Sequence, residues 1–401
     1  MKTAISREGI YFLFIVIVIL VGSVIREVNP MLLFAAFLCA PLVIAWRLGR
    51  RSLRGLQVRR ILPMQIFAGE PFIVHLETTN PKPKSWWSLS SWGIVVVDRI
   101  QPLYNNSREK QEKMKPYEPA VYFEYIPNEQ TRKKSYAGRL PQRGCYKIGP
   151  AMISTRFPFG FFRHWMEQPS LNGENTEFCV YPKLGKLSTQ WKTRQHEANE
   201  NQQRNRYRPT RVSGEFLGVR RWQRGDSKRW IHWRAWAKHQ EPVVRQFEQN
   251  QNRDCAVLID LYQQEEFNEM QRENFELAIS FTATLVSELT RRGGCNLFFS
   301  TNTGYNDYLY GPICLPIVES ILYRLALAEP SREDCLTKTL FKAISQIDPS
   351  AELILITPTP FNLLQSPRFQ DDQADPRFRV LLQRIRVVDT SSNDLETIFT
   401  V

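Results

Sequence analysis

Residues Gly214–Glu248 read GEFLGVRRWQRGDSKRWIHWRAWAKHQEPVVRQFE, and this stretch is the most informative part of the chain. It places four tryptophans among eight arginines and lysines. A fully solvated face does not need so many large rings, and a core does not hold so many charges. The stretch therefore predicts a structural element that is also a contact surface. We call residues 214–248 the tryptophan–arginine segment.

The composition indicates a folded, basic protein. With 401 residues, of which 43% are hydrophobic, the chain is long enough for two or three domains with real cores. A net charge of +13 favours anionic partners, namely phospholipid headgroups, nucleic acid or an acidic protein face. The seven cysteines are scattered without a CxxC pair, so neither a disulfide framework nor a zinc site is indicated.

Two apolar runs near the N-terminus, Ile10–Ile25 and Met31–Trp46, predict a transmembrane hairpin within residues 1–55. Each run has 16 residues without a charge, which as a helix spans about 24 Å against a hydrocarbon core of about 30 Å. Flanking residues and snorkelling arginines supply the difference. A signal peptide is disfavoured because no small-x-small cleavage site follows. A buried soluble hairpin is disfavoured because neither run has a polar stripe.

Basic residues at the ends of the hairpin predict its orientation. Lys2 and Arg7 precede the first run, and six arginines follow the second: Arg47, Arg50, Arg51, Arg54, Arg59 and Arg60. The connection between the runs holds one arginine balanced by Glu27. The positive-inside rule therefore places both termini in the cytoplasm.

Residues 56–185 predict a small all-β sandwich, because short alternating runs are separated by proline and glycine. Phe72, Val74, Leu76 and Thr78 share one face of a strand over Phe72–Thr79. Further strands are predicted at Trp92–Val97, Val121–Ile126, Lys134–Leu140, Met152–Thr155 and Glu177–Tyr181. Residues 186–213 are rich in Gln, Asn and Arg and predict a polar linker.

Residues 255–401 alternate between strands and helices, which predicts an α/β domain with a mostly parallel sheet. The predicted strands are Ala256–Leu261, Asn296–Ser300, Glu352–Ile356 and Arg384–Val388. The predicted helices are Met270–Arg292, Pro316–Ala328, Cys335–Ile347 and a short one near Pro376–Leu382. Ligands of such sheets bind at the carboxyl ends of the strands, here near Asp260 and Thr357.

Three stretches together resemble the bacterial membrane proteins grouped as domain of unknown function 58: Arg143–Pro150, Phe157–Phe162 and the tryptophan–arginine segment. The hallmark of that family is similar to E-F-x-x-x-R-x-[YW]-x-x-G-D-x-x-R-x-I-x-W-x-x-x-A-[RK]. The matching positions are Glu215, Phe216, Arg220, Trp222, Gly225, Asp226, Arg229, Ile231, Trp233, Ala237 and Lys238. This family hallmark segment covers residues 214–254.

The resemblance implies a von Willebrand factor type A-like (Rossmann-like) domain over residues 255–401. It also implies a place in the bacterial inner membrane and association with MoxR-type AAA+ ATPases, without an established enzymatic activity. The chain departs from the type A pattern where a magnesium ion would bind. That site opens with D-x-S-x-S, whereas Asp260 is followed by Leu261 and Tyr262, so Asp260 marks a degenerate position and we expect neither metal nor cofactor.

Candidate partner-binding residues all come from the tryptophan–arginine segment. They are Arg220, Trp222, Arg224, Asp226, Arg229, Trp230, Trp233, Trp236 and Lys238. Two other interpretations remain open for them: an arginine–aspartate pair with packing tryptophans that only stabilises the segment, and stacking on nucleic acid. No catalytic residue is predicted, because the sequence has no metal-binding histidine motif, no phosphate-binding loop and no nucleophile elbow.

The sequence thus predicts a membrane-anchored, non-enzymatic scaffold or adaptor that binds a protein partner such as a MoxR-type AAA+ ATPase. The alternatives are an enzyme acting on cell-envelope material and a protein that binds nucleic acid or anionic lipid. No small-molecule substrate is indicated.

Overall fold

The structure, a computed structural model, describes most of the chain. The described residues are 1–26, 29–84, 89–103, 116–168, 177–189, 191, 216–224, 226–247, 254–263, 268–303, 307–348, 351–360, 367–369, 382, 384–392 and 394–400. They divide into two compact units, Met1–Pro182 and Lys183–Val401. We call these the N-terminal unit and the C-terminal unit and describe each by itself.

The N-terminal unit holds two helices and twelve strands among its described residues. The helices are α1 (Arg7–Ile25) and α2 (Asn29–Leu53). The strands are β1 (Lys2–Ile5), β2 (Gln57–Ile61), β3 (Ile66–Phe67), β4 (Pro71–Asn80), β5 (Ser91–Val97), β6 (Ile100–Pro102), β7 (Ala120–Ile126), β8 (Gln130–Arg139), β9 (Gly144–Ile148), β10 (Ala151–Thr155), β11 (Phe162–Gln168) and β12 (Glu177–Tyr181). They form three sheets in the orders β1-β11-β10-β5-β7, β2-β4-β8 and β3-β12-β9-β6.

The apolar faces of these strands form one core. Phe72, Val74, Leu76 and Thr78 are buried as the alternation predicts, because successive side chains of β4 point to opposite faces. All the strands predicted for this part of the chain are confirmed, with shifts of a few residues at their ends. Strand β4 pairs antiparallel with both β2 and β8, so it is the central strand of its sheet.

A buried ion pair connects the sheets of the N-terminal unit. Arg60 of β2 donates through Nε to Asp98 Oδ1 at 2.8 Å and through Nη2 to the Gly149 carbonyl at 2.9 Å. Tyr136 of β8 donates its hydroxyl to Asp98 Oδ2 at 3.0 Å. Burial and the Asp98 carboxylate raise the pKa of Tyr136, so this hydroxyl keeps its proton. Asp98 is fully buried, so its charge depends on these partners.

Helices α1 and α2 are long and apolar enough to cross a membrane, and both connect to the same sheet. Strand β1, which precedes α1, pairs antiparallel with β11. At the other end of the hairpin, Lys82 Nζ donates to the carbonyl of Arg51 at 2.6 Å. The Ser91 hydroxyl donates to the carbonyl of Ser52 at 2.6 Å. The end of α2 is therefore capped by side chains from the β-strand region.

Gly49 of α2 permits the closest approach of this helix to the sheet, and it supplies a test of the contact. A Cβ atom at position 49 would lie 2.3 Å from His164 Cδ2, and His164 is fully buried. We expect Gly49→Ala to destabilise the N-terminal unit by roughly 1–3 kcal/mol, as overpacking does. The measurement is the thermal unfolding of the full chain in detergent. Gly22→Ala is the matched control, since a Cβ there meets nothing within 4 Å. Equal midpoints of thermal unfolding for Gly49→Ala and Gly22→Ala would contradict the close contact between Gly49 and His164.

The C-terminal unit combines two two-stranded sheets with a five-stranded sheet. Its described helices are α3 (Trp233–His239), α4 (Glu269–Arg292), α5 (Leu315–Leu327), α6 (Leu336–Gln346) and α7 (Asp394–Ile398). Its strands are β13 (Lys186–Leu187), β14 (Phe216–Arg221), β15 (Val243–Phe247), β16 (Cys255–Ile259), β17 (Asn296–Ser300), β18 (Tyr308–Pro312), β19 (Glu352–Thr357), β20 (Ile385–Asp389) and β21 (Phe399–Thr400). Two turns of 3₁₀ helix lie at Lys228–Trp230 and Pro367–Phe369.

The large sheet has the order β18-β17-β16-β19-β20. Strands β17, β16, β19 and β20 are parallel, and only β18 runs antiparallel, at the edge. Helix α4 begins at Asn268 with a capping box and ends at Gly293 with φ +66°. Its predicted inner face is confirmed, since the following side chains are buried: Phe275, Ala278, Ile279, Leu285, Val286 and Leu289.

Of the predicted polar linker over residues 186–213, the structure describes residues 186–189 and 191, and these pack against the C-terminal unit. Strand β13 pairs antiparallel with β21. Trp191 is 1% exposed and contacts Phe281 edge-on at 5.4 Å. The guanidinium of Arg386 also lies over the Trp191 ring, 3.5 Å from its centroid. This region is therefore packed into the C-terminal unit because one large ring outweighs its polar neighbours. The rest of the predicted linker lies outside the described residues, as does the predicted helix near 376–382 except for Leu382.

Candidate functional site

The tryptophan–arginine segment folds as an antiparallel hairpin with a helical insertion. Strands β14 and β15 pair from Phe216↔Phe247 to Arg221↔Val243. The connection between them contains the 3₁₀ turn Lys228–Trp230 and helix α3, whose N-cap His232 accepts a hydrogen bond through Nδ1 from the Ala235 N–H at 3.1 Å. Ile231 and Val244 form an isolated bridge and are buried. A small apolar centre thus fixes the insertion on the hairpin. Glu215, Gly225 and Glu248 lie outside the described residues.

Two of the candidate residues, Arg220 and Asp226, bind each other. The guanidinium of Arg220 donates to both carboxylate oxygens of Asp226 at 2.7 Å, and the Gln223 N–H donates to the same carboxylate at 2.9 Å. The hydrogen bonds from Arg220, together with the one from Gln223 and the charge of Arg220, lower the pKa of Asp226. This bidentate pair holds the turn after β14, so these two side chains are explained by stability of the segment.

Other candidates face solvent. Trp233 is 65% exposed, and its ring stacks on Trp236 with centroids 5.2 Å apart and planes inclined by 20°. Trp222 is also exposed, whereas Trp230 and Trp236 are half-buried. Besides Arg221, six basic residues of the segment are exposed: Arg224, Lys228, Arg229, Arg234, Lys238 and Arg245. None of the six forms an ion pair with the residues that the structure describes, whereas Arg221 binds Glu241 at 2.8 Å.

A second group of polar residues lies at the carboxyl ends of the parallel strands. Asp260 follows β16 and is 4% exposed. Its Oδ1 accepts from Asn302 Nδ2 at 2.8 Å, and its Oδ2 accepts from Arg368 Nη1 at 2.6 Å. Arg368 also donates to both carboxylate oxygens of Asp334, and its guanidinium lies 4.7 Å from the centroid of the Tyr262 ring. One guanidinium therefore binds two carboxylates.

The protonation states of this group follow from the same contacts. Burial raises the pKa of Asp334, but the hydrogen bonds from Arg368 and from the Leu336 N–H outweigh it, so that the pKa is below its usual value. Burial disfavours the charge of Arg368, yet hydrogen bonds to Asp334 and Asp260 raise its pKa. The Arg368 cation therefore lies between the side chains of Asp260 and Asp334.

These residues do not fit the divalent cation of a type A metal site. Tyr262 and Gln264 occupy the sequence positions of the two serines, and the Arg368 cation already binds the Asp260 carboxylate. Across the described residues, no group of three or more His, Cys, Asp or Glu could hold a metal ion. Thr357 lies beside Asp260 on the neighbouring strand, since Ile259 is in register with Ile356. A hard cation would have to compete with a tethered guanidinium there.

A cavity of about 370 Å³ lies near the end of β17. Its polar lining includes Asp307, which accepts hydrogen bonds from Thr301, from Thr303 at 2.6 Å and from Arg324. The carboxylate of Asp307 is thus also neutralised by an arginine. Sequence reasoning identified Asp260 and missed Arg324 and Arg368, because neither arginine belongs to a motif.

Comparison with known proteins finds one family match, which covers most of the tryptophan–arginine segment and the first two strands of the parallel sheet. Residues 218–304 match the family described as "Protein of unknown function DUF58". The match supports the resemblance drawn from the hallmark residues of that segment. No curated protein matches the chain.

Solved structures add only distant likenesses. The CARDB domain of a Pyrococcus furiosus protein, in complex with di-metal ions, is 10% identical; the match covers 29% of this chain and 87% of that one, with a TM-score of 0.17. A β-glucosidase from Kluyveromyces marxianus is 7% identical; the match covers 31% of this chain and 15% of that one, also with a TM-score of 0.17. Scores this low carry no argument about fold or function.

Proposed function

We propose that this protein is a membrane-anchored, non-enzymatic scaffold that binds an acidic protein surface through the tryptophan–arginine segment. The observation that carries the proposal is the exposed Trp233, stacked on the half-buried Trp236, within a segment that has six exposed basic side chains without an ion pair among the described residues. Tryptophan and arginine dominate the binding energy of protein interfaces. The sign of the charge selects an acidic partner. A MoxR-type AAA+ ATPase is the partner that the family resemblance implies.

The anchoring part of the proposal rests on α1 and α2. Only 17% and 11% of the residues in their most apolar stretches are buried, whereas a core helix of a soluble protein buries its apolar side chains. Strand β1 and the end of α2 both attach to strands of one unit. Both ends of the α1–α2 hairpin therefore lie on the same side of the membrane. Because basic residues flank the hairpin, that side is the cytoplasm of a bacterium.

We further propose that the strands of the N-terminal unit form a β-sandwich and that the parallel sheet of the C-terminal unit is a metal-independent type A-like domain. Support for the second assignment comes from the strand order, with β16 in the centre and Asp260 at its carboxyl end. The Arg368 guanidinium takes the place of the cation. Recognition of a partner through this domain would then need no metal.

The rival proposal, an enzyme acting on cell-envelope material, lacks a comparable observation. A catalytic centre needs converging titratable groups that are free to act on a substrate. Asp260, Asp307 and Asp334, the carboxylates described above at this edge of the sheet, are each bound by an arginine. Nucleic-acid binding would show as an affinity that falls steeply with salt.

The test is cross-linking in native membranes with the double variant Trp233→Ala/Arg229→Ala. We expect recovery of the acidic partner to fall about tenfold or more, because a hot-spot residue contributes at least ~2 kcal/mol. The matched control is Met270→Ala/Arg291→Ala on α4, outside the segment. Met270 is 73% exposed and the side chain of Arg291 is 82% exposed. Partner recovery equal to the control, from a double variant with unchanged thermal unfolding, would contradict the proposed docking site.

A further inference from the structure

A turn rich in phenylalanine joins β10 to β11 and is not explained by the scaffold function. It reads Phe157-Pro158-Phe159-Gly160-Phe161, and we call residues 157–161 the phenylalanine turn. Phe159 is 53% exposed, and its ring lies 5.8 Å from that of Phe161. A large ring at the tip of a turn is costly to leave in water, at roughly 25 cal/mol for each Å² of exposed apolar surface.

The turn lies at the base of α1. The Ser6 hydroxyl donates to the Gly160 carbonyl at 2.5 Å, and the Ser6 N–H donates to the Phe161 carbonyl at 2.9 Å. A Cβ atom on Gly9 would lie 2.3 Å from that same carbonyl oxygen. Further along the helix, the ring of Phe12 stacks on Phe161 with centroids 4.5 Å apart and planes inclined by 21°. Backbone, side-chain and ring contacts thus fix the turn beside the first turns of α1.

Helix α2 approaches the same turn from its other end. A Cβ atom on Gly49 would lie 3.0 Å from the Phe157 carbonyl oxygen. One helical turn earlier, Trp46 is exposed, and the guanidinium of Arg50 lies 5.1 Å from its ring centroid. Tryptophans with a neighbouring basic residue are typical of the membrane–water interface. The phenylalanine turn is therefore level with the point where both helices meet that interface.

The depth of the turn follows from the length of the helix. The uncharged run Ile10–Ile25 spans about 24 Å, roughly 6 Å short of a hydrocarbon core of about 30 Å. Phe12 belongs to this run, so its ring lies inside the span. Because Phe161 stacks on Phe12, the phenylalanine turn lies at the depth of a spanning residue. Its apolar side chains can supply the missing contact with the acyl chains.

The charges around the turn fit anionic headgroups. Seven arginines in or next to α1, α2, β10 and β11 are exposed: Arg7, Arg47, Arg50, Arg51, Arg54, Arg156 and Arg163. Each basic residue near an anionic surface contributes about 1 kcal/mol. Rings at the tip with arginines behind them form the pattern of a segment that lies in a membrane interface.

We propose that the phenylalanine turn inserts into the boundary between headgroups and acyl chains of an anionic bilayer and holds the N-terminal unit against the membrane surface. This inference rests on the proposed anchoring by α1 and α2. In this arrangement α1 and α2 attach the N-terminal unit to the membrane. The lipid contact of the phenylalanine turn additionally fixes the orientation of the strands of that unit on the membrane surface. A second copy of the chain or another protein on the turn would be the competing occupants.

The experiment places a photoreactive phenylalanine analogue at position 159 of the full chain in nanodiscs of phosphatidylcholine and phosphatidylglycerol. The matched control carries the analogue at position 64, because Met64 is 100% exposed in another turn of the same unit. Intact mass spectrometry counts lipid adducts after irradiation. We expect severalfold more lipid adduct at position 159 than at position 64. Equal yields, or cross-links from position 159 to a second protein chain in place of lipid, would overturn the inference.

Extraction with alkaline carbonate distinguishes failure of the proposed turn insertion from failure of the proposed anchoring by α1 and α2. Release of the wild-type chain into the soluble fraction would contradict anchoring by α1 and α2, and with it the proposed function. Retention of the chain in the membrane together with equal adduct yields would contradict only the insertion of the phenylalanine turn.

Discussion

Replacing Arg368 by alanine is expected to destabilise the C-terminal unit by roughly 3–5 kcal/mol, because the substitution leaves a buried carboxylate without its counter-ion. Asp260 is 4% exposed and binds the guanidinium at 2.6 Å. Asp334 loses its two hydrogen bonds from the same group. Hydrogen exchange of the β16 and β19 peptides in the full chain measures the loss locally, because chains with more than one compact unit depart from two-state unfolding.

A double-mutant cycle tests whether the effect comes from the ion pair. Arg368→Met combined with Asp260→Asn removes both charges. We therefore expect the double variant to be destabilised clearly less than the sum of the two single variants. Arg291→Ala is the control, because the Arg291 side chain is 82% exposed and 3.5 Å from Glu288, and such a pair contributes at most about 1 kcal/mol. Additive costs in the cycle would show that Arg368 does not act as the counter-ion of Asp260.

The elements with a strong period could be predicted from the sequence. Strand β4 alternates over its length, and α4 places its apolar residues at helical spacing between a capping box and glycine, so local physics alone determines both. Strand β1 could not be predicted in this way. It has four residues, all exposed, and its partner β11 lies some 160 residues away in the chain. A strand this short has no period and forms only because the partner edge is available.

The candidate site divides in the same way. The aromatic and basic character of the tryptophan–arginine segment is a property of composition, and the sequence predicts it. The pairing of Asp260 with Arg368 joins residues separated by 108 positions. Tyr262 and Gln264 already show that the metal pattern is lost, but no spacing rule selects which arginine binds the remaining carboxylate. Only the packing of the strands and the segment after β19 brings these two charges together.

The second large effect is expected in the N-terminal unit, where Asp98→Ala should cost roughly 3–5 kcal/mol. The substitution leaves Arg60, which is 8% exposed, without the carboxylate that its Nε binds at 2.8 Å. It also removes the acceptor of the Tyr136 hydroxyl. Because Arg60 and Tyr136 lie on β2 and β8 while Asp98 follows β5, the loss should loosen two sheets together. Hydrogen exchange of the β2, β5 and β8 peptides in the full chain measures this.

An exposed ion pair in the same unit serves as the control, because it has the same charges as the buried pair but is accessible to water. Arg99 and Glu118 are 3.4 Å apart with side chains 56% and 49% exposed, so Glu118→Ala should cost no more than about 1 kcal/mol. Replacing the buried pair by apolar side chains, Arg60→Met with Asp98→Leu, should recover most of the loss, since no charge is then left buried. If Asp98→Ala costs no more than Glu118→Ala, the buried pair does not hold the sheets, and the apolar core of the unit alone must do so.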